Sequence, residues 1–151
     1  MLIRSWLFVP GDSERKLEKG RENEADALIL DLEDAVSDDR QDIAREMVCA
    51  YLARHMGHCG ECHTPRNALG FVDQAREFAG GELDGKKVGA IDAEALSSWS
   101  EDAFALFLTL GLKPDGDFVG GKMEPVIEHN TSRLTAEDKA AMVAFFVRGQ
   151  E

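Results

Sequence analysis

Cys59-Gly60-Glu61-Cys62-His63 constrains this chain more than any other stretch. Two thiols three positions apart, with an imidazole directly after the second, form the pattern of a covalent c-type haem attachment. Each thiol adds across one vinyl group, and the two-residue gap lets both sulfurs reach one porphyrin edge. His63 then lies beneath the iron as the proximal ligand. On these five residues alone, three other readings stand beside that one. A zinc site would need two further ligands, and a second Cys pair is absent from the sequence. A redox dithiol would be expected after a strand within a βαβ pattern, which does not surround this pair. The last is a pair of structural cysteines beside a solvated histidine.

A chain of 151 residues suits one ordinary domain or two small ones. Its net charge of −12 makes nucleic acid and anionic membrane surfaces poor partners, and makes a basic docking face the natural complement. The acidity does not divide the chain, because residues 1–48 carry 13 acidic and 7 basic groups and the remainder 16 and 10. No apolar run reaches membrane-spanning length. The opening, Met1 to Pro10, is too short and interrupted for a signal peptide, whereas haem attachment of this type belongs to exported proteins. As written, the chain is therefore expected to carry an export-dependent motif without an export signal. Cys49, the thiol left over, reads as a small helix residue.

In the first 48 residues, Leu2–Val9 reads as a strand turned by Pro10-Gly11. Asp12 or Ser13 can cap a helix running to about Asn23, and Ala27–Leu32 is apolar enough for a buried parallel strand. Together they make one βαβ unit. Asp31, Glu33 and Asp34 end its second strand, where α/β enzymes place their chemistry, although turns and caps are the ordinary use of such residues. Arg4-Ser-Trp-Leu-Phe-Val-Pro-Gly-Asp-Ser, then Ala25-Asp-Ala-Leu-Ile-Leu-Asp-Leu-Glu-Asp-Ala-Val and Arg40, resemble the opening of citrate lyase beta subunit-like (HpcH/HpaI aldolase) proteins. That family implies magnesium-dependent carbon–carbon lyases acting on acyl-CoA thioesters, built on a (β/α)₈ barrel. Such a barrel needs about 200 or more residues and eight strands. The segments that would supply its substrate-binding Arg and metal-binding carboxylates are missing here. The portion is expected to be a truncated fragment without lyase activity, its sheet edges unpaired.

Residues 38–56 read as one helix ending at Gly57, with acids at its start and bases towards its end. Ile43, Met47, Tyr51 and Leu52 fall on one face. The lyase-like resemblance fades by about Val48, so the expected domains are 1–48 and 49–151, with no linker between them.

From Cys49 onward the chain resembles a small monohaem c-type cytochrome. The likeness runs through Ala50-Tyr-Leu, Gly57-His-Cys-Gly-Glu-Cys-His-Thr-Pro-Arg-Asn, Gly80-Gly, Trp99-Ser-Glu-Asp, Val119-Gly-Gly-Lys-Met and Asn130-Thr-Ser-Arg-Leu-Thr-Ala-Glu-Asp. It implies a mainly α, three-helix haem fold, one covalently attached haem c, and one-electron transfer rather than enzymatic turnover. It also implies a periplasmic setting and redox partners such as a dehydrogenase or oxidase. Cys59 and Cys62 would hold the haem, His63 and Met123 would ligate the iron, and Pro65, Arg66, Asn67 and Trp99 would line its environment. His129 and Met142 are the rivals of Met123, whose place in the Gly-rich loop Gly120-Gly121-Lys122 favours it. His55 and His58 flank the motif on the wrong side.

The residues themselves predict helices at about 101–110, begun by Ser98 or Ser100 and stopped by Gly111, and from Thr135 to about Arg148. Phe104, Leu106, Phe107, Leu108 and Leu110 make the first of these apolar nearly all round, hence buried. Residues 64–98 read as a long Gly-rich loop wrapping the porphyrin.

Overall fold

A computed structural model of the chain describes residues 4–148. They form two compact units, Met1–Tyr51 and Leu52–Glu151. The 48/49 joint expected from the motifs falls inside a helix. Helix predominates among the described residues, and no helix is long and apolar enough to cross a membrane.

In the first unit, β1 (Trp6–Pro10) pairs in parallel with β2 (Ala27–Asp31), in register from Trp6 opposite Ala27 to Pro10 opposite Asp31. Leu2 and Ile3, the expected start of β1, lie outside the described residues. Helix α1 (Glu14–Arg21) connects the strands and stops two residues early, where Asn23 Oδ1 accepts the Ala25 N–H at 2.9 Å and turns the chain. The expectation of a buried second strand is overturned. Every residue of β2 is only half-buried, and Trp6 and Phe8 of β1 are 58% and 62% exposed. Two strands and one short helix cannot cover both faces of a sheet.

Asp12 is the polar knot of this unit. Arg40 Nε donates to its carboxylate at 2.9 Å and Arg40 Nη2 to its carbonyl at 2.7 Å. Ser13, the residue before α1, makes no side-chain cap. A 3₁₀ turn at Asp38–Arg40 leads into α2 (Gln41–Tyr51), which buries Ala44, Val48, Cys49 and Tyr51. Tyr51 and Leu52 of the expected stripe are buried, but earlier in the helix the buried positions are Ala44 and Val48, one place after Ile43 and Met47, and Ile43 is exposed.

The second unit begins with a π-helical turn, Leu52–Met56, closed by Gly57 N–H donating to Leu52 O at 2.7 Å. Helical backbone thus runs through 38–56 as expected and ends at Gly57. Next come α3 (Cys59–His63), an antiparallel hairpin of β3 (Gly81–Leu83) and β4 (Lys86–Val88), α4 (Glu101–Leu110), α5 (Met123–His129) and α6 (Ala136–Val147). The hairpin corrects the expected long loop. Asp84 and Gly85 form its two-residue turn with φ of 52° and 73°, the left-handed pair that tight hairpins require.

Ser100, not Ser98, caps α4, its hydroxyl accepting the Ala103 N–H at 3.1 Å. Gly111, at φ 73°, ends that helix, and Thr135 caps α6 through the Asp138 N–H at 3.1 Å. Helix α4 packs on α6, burying Phe104 and Leu108 with Met142, Val143 and Phe146. Leu106 and Leu110 stay exposed, contrary to the all-round burial expected of α4. The Phe146 ring sits 4.9 Å from Phe145, 5.2 Å from Phe78 and 5.8 Å from Phe104, all edge-on. Phe78 is fully buried in a left-handed conformation (φ 63°). Its N–H donates to Thr64 Oγ1 at 3.0 Å and its carbonyl accepts from Ile91 at 2.8 Å, so the surroundings over-determine the strained residue.

Phe146→Ala should remove the hub of this aromatic cluster and cost about 3–5 kcal/mol in denaturant unfolding of the second unit. In the first unit, the hydrogen bond from Arg40 holds the Asp12 carboxyl below its ordinary 3.8. The folded unit therefore binds fewer protons than the unfolded chain, and the stabilisation is present above 3.8 and lost as the pH falls through the lower folded value. Arg40→Ala should weaken hydrogen-exchange protection of the β1–β2 amides at neutral pH, and its difference from wild type should shrink as the pH drops well below 3.8.

Candidate haem site

Helix α3 is a single turn that starts from His58, itself left-handed at φ 50°. Cys59 and Cys62 are i and i+3, and His63 is i+4 from Cys59, so all three side chains share one face of the turn. Both thiols are partly exposed. His63 Nδ1 lies 2.7 Å from the Gly89 carbonyl. A carbonyl only accepts, so Nδ1 carries the hydrogen and Nε2 keeps its lone pair. Burial pushes the His63 pKa down, which holds the ring neutral, the form that ligates a metal.

The hairpin braces this turn. Gly80 N–H donates to His63 O at 2.8 Å. A Cβ at Gly81 would stand 2.8 Å from Cys62 O and 3.0 Å from Thr64 O, so the strand backbone reaches the motif only because that position has no side chain. Thr64 is buried, and its hydroxyl takes the Phe78 N–H.

The thiol chemistry separates the rival readings. Burial pushes Cys59 up to about 11, whereas a redox-active thiol needs a depressed pKa. Among the described residues, no group of three or more His, Cys, Asp and Glu side chains is gathered to hold a metal, so Cys59 and Cys62 do not share a zinc-like set with His58 or His63. A porphyrin fits better. The motif offers two sulfurs and one neutral imidazole on a common face, and the same unit leaves Leu69, Phe71, Leu106, Leu110 and Phe118 exposed.

Pro65 and Arg66 line a shallow open depression of about 400 Å³ with Ala79, Gly80, Gly81 and Glu82. Arg66 folds back on the motif, donating to Gly70 O at 3.0 Å and to the Glu61 carboxylate at 3.2 Å. Asn67 Oδ1 accepts the N–H groups of Leu69 and Phe71 at 2.9 and 3.1 Å, shaping the turn that presents those two apolar residues. Trp99 is half-buried with its ring edge-on to Phe104 and Phe107, at 5.8 and 5.4 Å.

Met123 is not in a loop, as expected, but is the half-buried first residue of α5. The preceding residue, Lys122, forms an ion pair with Asp84 at the hairpin tip, which links Met123 to the element bracing His63. His129, at the other end of α5, is exposed beside Glu128, and Met142 is 2% exposed within the α4–α6 core. His55 and His58 lie at the surface.

Sequence reasoning gave no role to Thr64, Gly81, Gly89 or the Asp84–Lys122 pair, although Thr64, Gly81 and Lys122 stand in the stretches that carry the likeness. Asp84-Gly85 carried the signal of a hairpin turn. Gly81→Ala should push the hairpin off the motif, lowering the melting temperature and shifting the His63 ring resonances in NMR spectra more than Gly120→Ala, whose Cβ position meets open space.

Comparison with known proteins finds two kinds of relative. The HpcH/HpaI aldolase/citrate lyase family model matches residues 4–65, running past Val48 and through the CxxCH motif. A diheme cytochrome c-type protein of Cereibacter sphaeroides is 43% identical over 99 residues, covering 65% of this chain and 33% of that protein. The fructose dehydrogenase cytochrome subunit of Gluconobacter japonicus is 33% identical over 98 residues, covering 63% of this chain and 20% of its own length. A (3S)-malyl-CoA thioesterase of Cereibacter sphaeroides is 53% identical over 46 residues, covering 30% of this chain and 16% of that protein. The chain spans a third or less of these relatives. It thus joins a segment matched by the HpcH/HpaI aldolase/citrate lyase family to a longer one whose relatives are named as cytochrome c proteins and subunits, the arrangement expected of a fusion.

Proposed function

We propose that the chain is a one-electron carrier whose portion from Cys49 onward holds one haem c, fixed through thioether bonds to Cys59 and Cys62. His63 and Met123 would hold its iron. The observation that carries the reading is the His63 ring, held neutral with Nδ1 engaged by Gly89 and Nε2 left to ligate. Bound there, a haem supplies a ferrous/ferric couple. The chain's own contribution is placement and environment. The Gly89 carbonyl orients the imidazole and raises its basicity, as outer partners of metal-ligating histidines do. The thioether of Met123 favours the ferrous state relative to a second imidazole. Arg66, Asn67 and the apolar side chains they position limit water at the site.

A single CxxCH supports one haem here, although one relative is named diheme. The dehydrogenase subunits among the relatives support a dehydrogenase as electron donor, and a net charge of −12 suits a basic docking face. Export to the periplasm is the compartment in which such attachment would occur. Residues 1–48 contribute no catalysis in this reading. Their similarity to a malyl-CoA thioesterase favours a lyase-like alternative, but Asp31 at the end of β2 is engaged with the Glu33 N–H at 3.0 Å, a turn role.

The chain, expressed behind an export signal in a host that matures c-type cytochromes, should stain for haem on a denaturing gel and show low-spin ferrous absorption bands. Cys59→Ala/Cys62→Ala should abolish the stain. Met123→Ala should keep it while lowering the reduction potential. A folded, colourless product would overturn the proposal.

A further inference from the structure

We propose that the β3–β4 hairpin is a strut fixing the separation of the two axial ligands, its base fastened to His63 and its tip clasped to the Met123 segment by the Asp84–Lys122 ion pair. The inference rests on the assignment of His63 and Met123 as those ligands.

Both ends of the strut are visible. At the base, Gly80 N–H donates to His63 O and Gly89 O accepts from His63 Nδ1, so the residues flanking β3 and β4 grip the backbone and the ring of one histidine. Strands of three residues carry the tip about 10 Å from that base. There Asp84 is locked into the two-residue turn, and its carboxylate meets the ammonium of Lys122, next in the chain to Met123. The Met123 segment needs such a tether. Cβ positions built on Gly120 and Gly121 meet nothing within 4 Å, so the approach to Met123 has little packing of its own. Further along, α5 is anchored through buried Ile127, which lies 3.8 Å from the Cβ position of Gly111 at the end of α4. Ile127 therefore secures the second turn of α5, and the clasp secures the first, where Met123 sits.

An ion pair with both partners two-thirds exposed contributes little to global folding. Its leverage is on a local opening in which the Met123 end swings away while the rest of the unit stays folded. Asp84 and Lys122 are thus positioning residues for Met123.

The test uses the full-length haem-loaded protein and imidazole as the probe, since imidazole takes the ligand position whenever Met123 leaves it. Binding is followed in the ferric protein by loss of the sulfur-to-iron charge-transfer band. Asp84→Asn keeps a residue that tolerates left-handed backbone, so the turn survives. Asp84→Asn and Lys122→Gln should each raise imidazole affinity about two- to five-fold with the melting temperature unchanged. Added salt should move the wild type towards Asp84→Asn and leave that variant where it is. Wild-type affinity in both single variants, with Met123→Ala binding imidazole tightly, would overturn the strut while sparing the ligand assignment. An unchanged band and affinity in Met123→Ala would overturn the assignment and the strut with it.

Discussion

The bond between His63 Nδ1 and the Gly89 carbonyl is the contact on which the second unit turns. It closes a loop of 26 residues in sequence onto a single helical turn, and the hairpin inside that loop packs its backbone against the carbonyls of Cys62 and Thr64. A half-buried neutral imidazole engaged on one nitrogen has only its other nitrogen with which to act. Neighbouring contacts reinforce this placement. Thr64, directly after the histidine, takes the N–H of Phe78, and Phe78 is the aromatic that reaches the α4–α6 core. The candidate site and the core are therefore one continuous set of contacts, running from the His63 imidazole through a buried hydroxyl to the aromatic cluster.

Features fixed by local chemistry were legible in the sequence. Caps act within one turn of helix, so α4 and α6 could be bounded from Gly111 and Thr135, and the CxxCH pattern carries its own spacing. Features fixed by distant partners were not. The Gly89 carbonyl has no side chain to announce it, and Asp84 and Lys122 stand 38 residues apart. Strands of three residues show no alternation, although Asp84-Gly85 signalled their turn. Helix α5 was hidden because Gly120, Gly121 and Pro125 read as loop, yet a proline within the first turn of a helix forfeits no hydrogen bond. The burial of β2 was overestimated because its apolar run would suit a wide sheet, and this one has two strands.

The first unit is held together by contacts of its own. Its strand, helix and parallel strand form with their register intact, since the Asp12–Arg40 knot and the Val9–Leu17 core are internal to the unit. Its sheet nonetheless keeps Trp6 and Phe8 at the surface, where further strands and helices would ordinarily lie.

The burial of Cys49 bears on the selectivity of sulfur chemistry in this polypeptide. A chain with three thiols can in principle form a wrong sulfur linkage, and oxidising compartments promote such mispairing. Here the odd sulfur is buried within α2, and burial pushes its pKa up, so little of it exists as the reactive thiolate. Once α2 has folded, only the two cysteines of the motif offer partly exposed sulfurs. If haem is attached as proposed, burial of Cys49 would restrict that covalent chemistry to the motif.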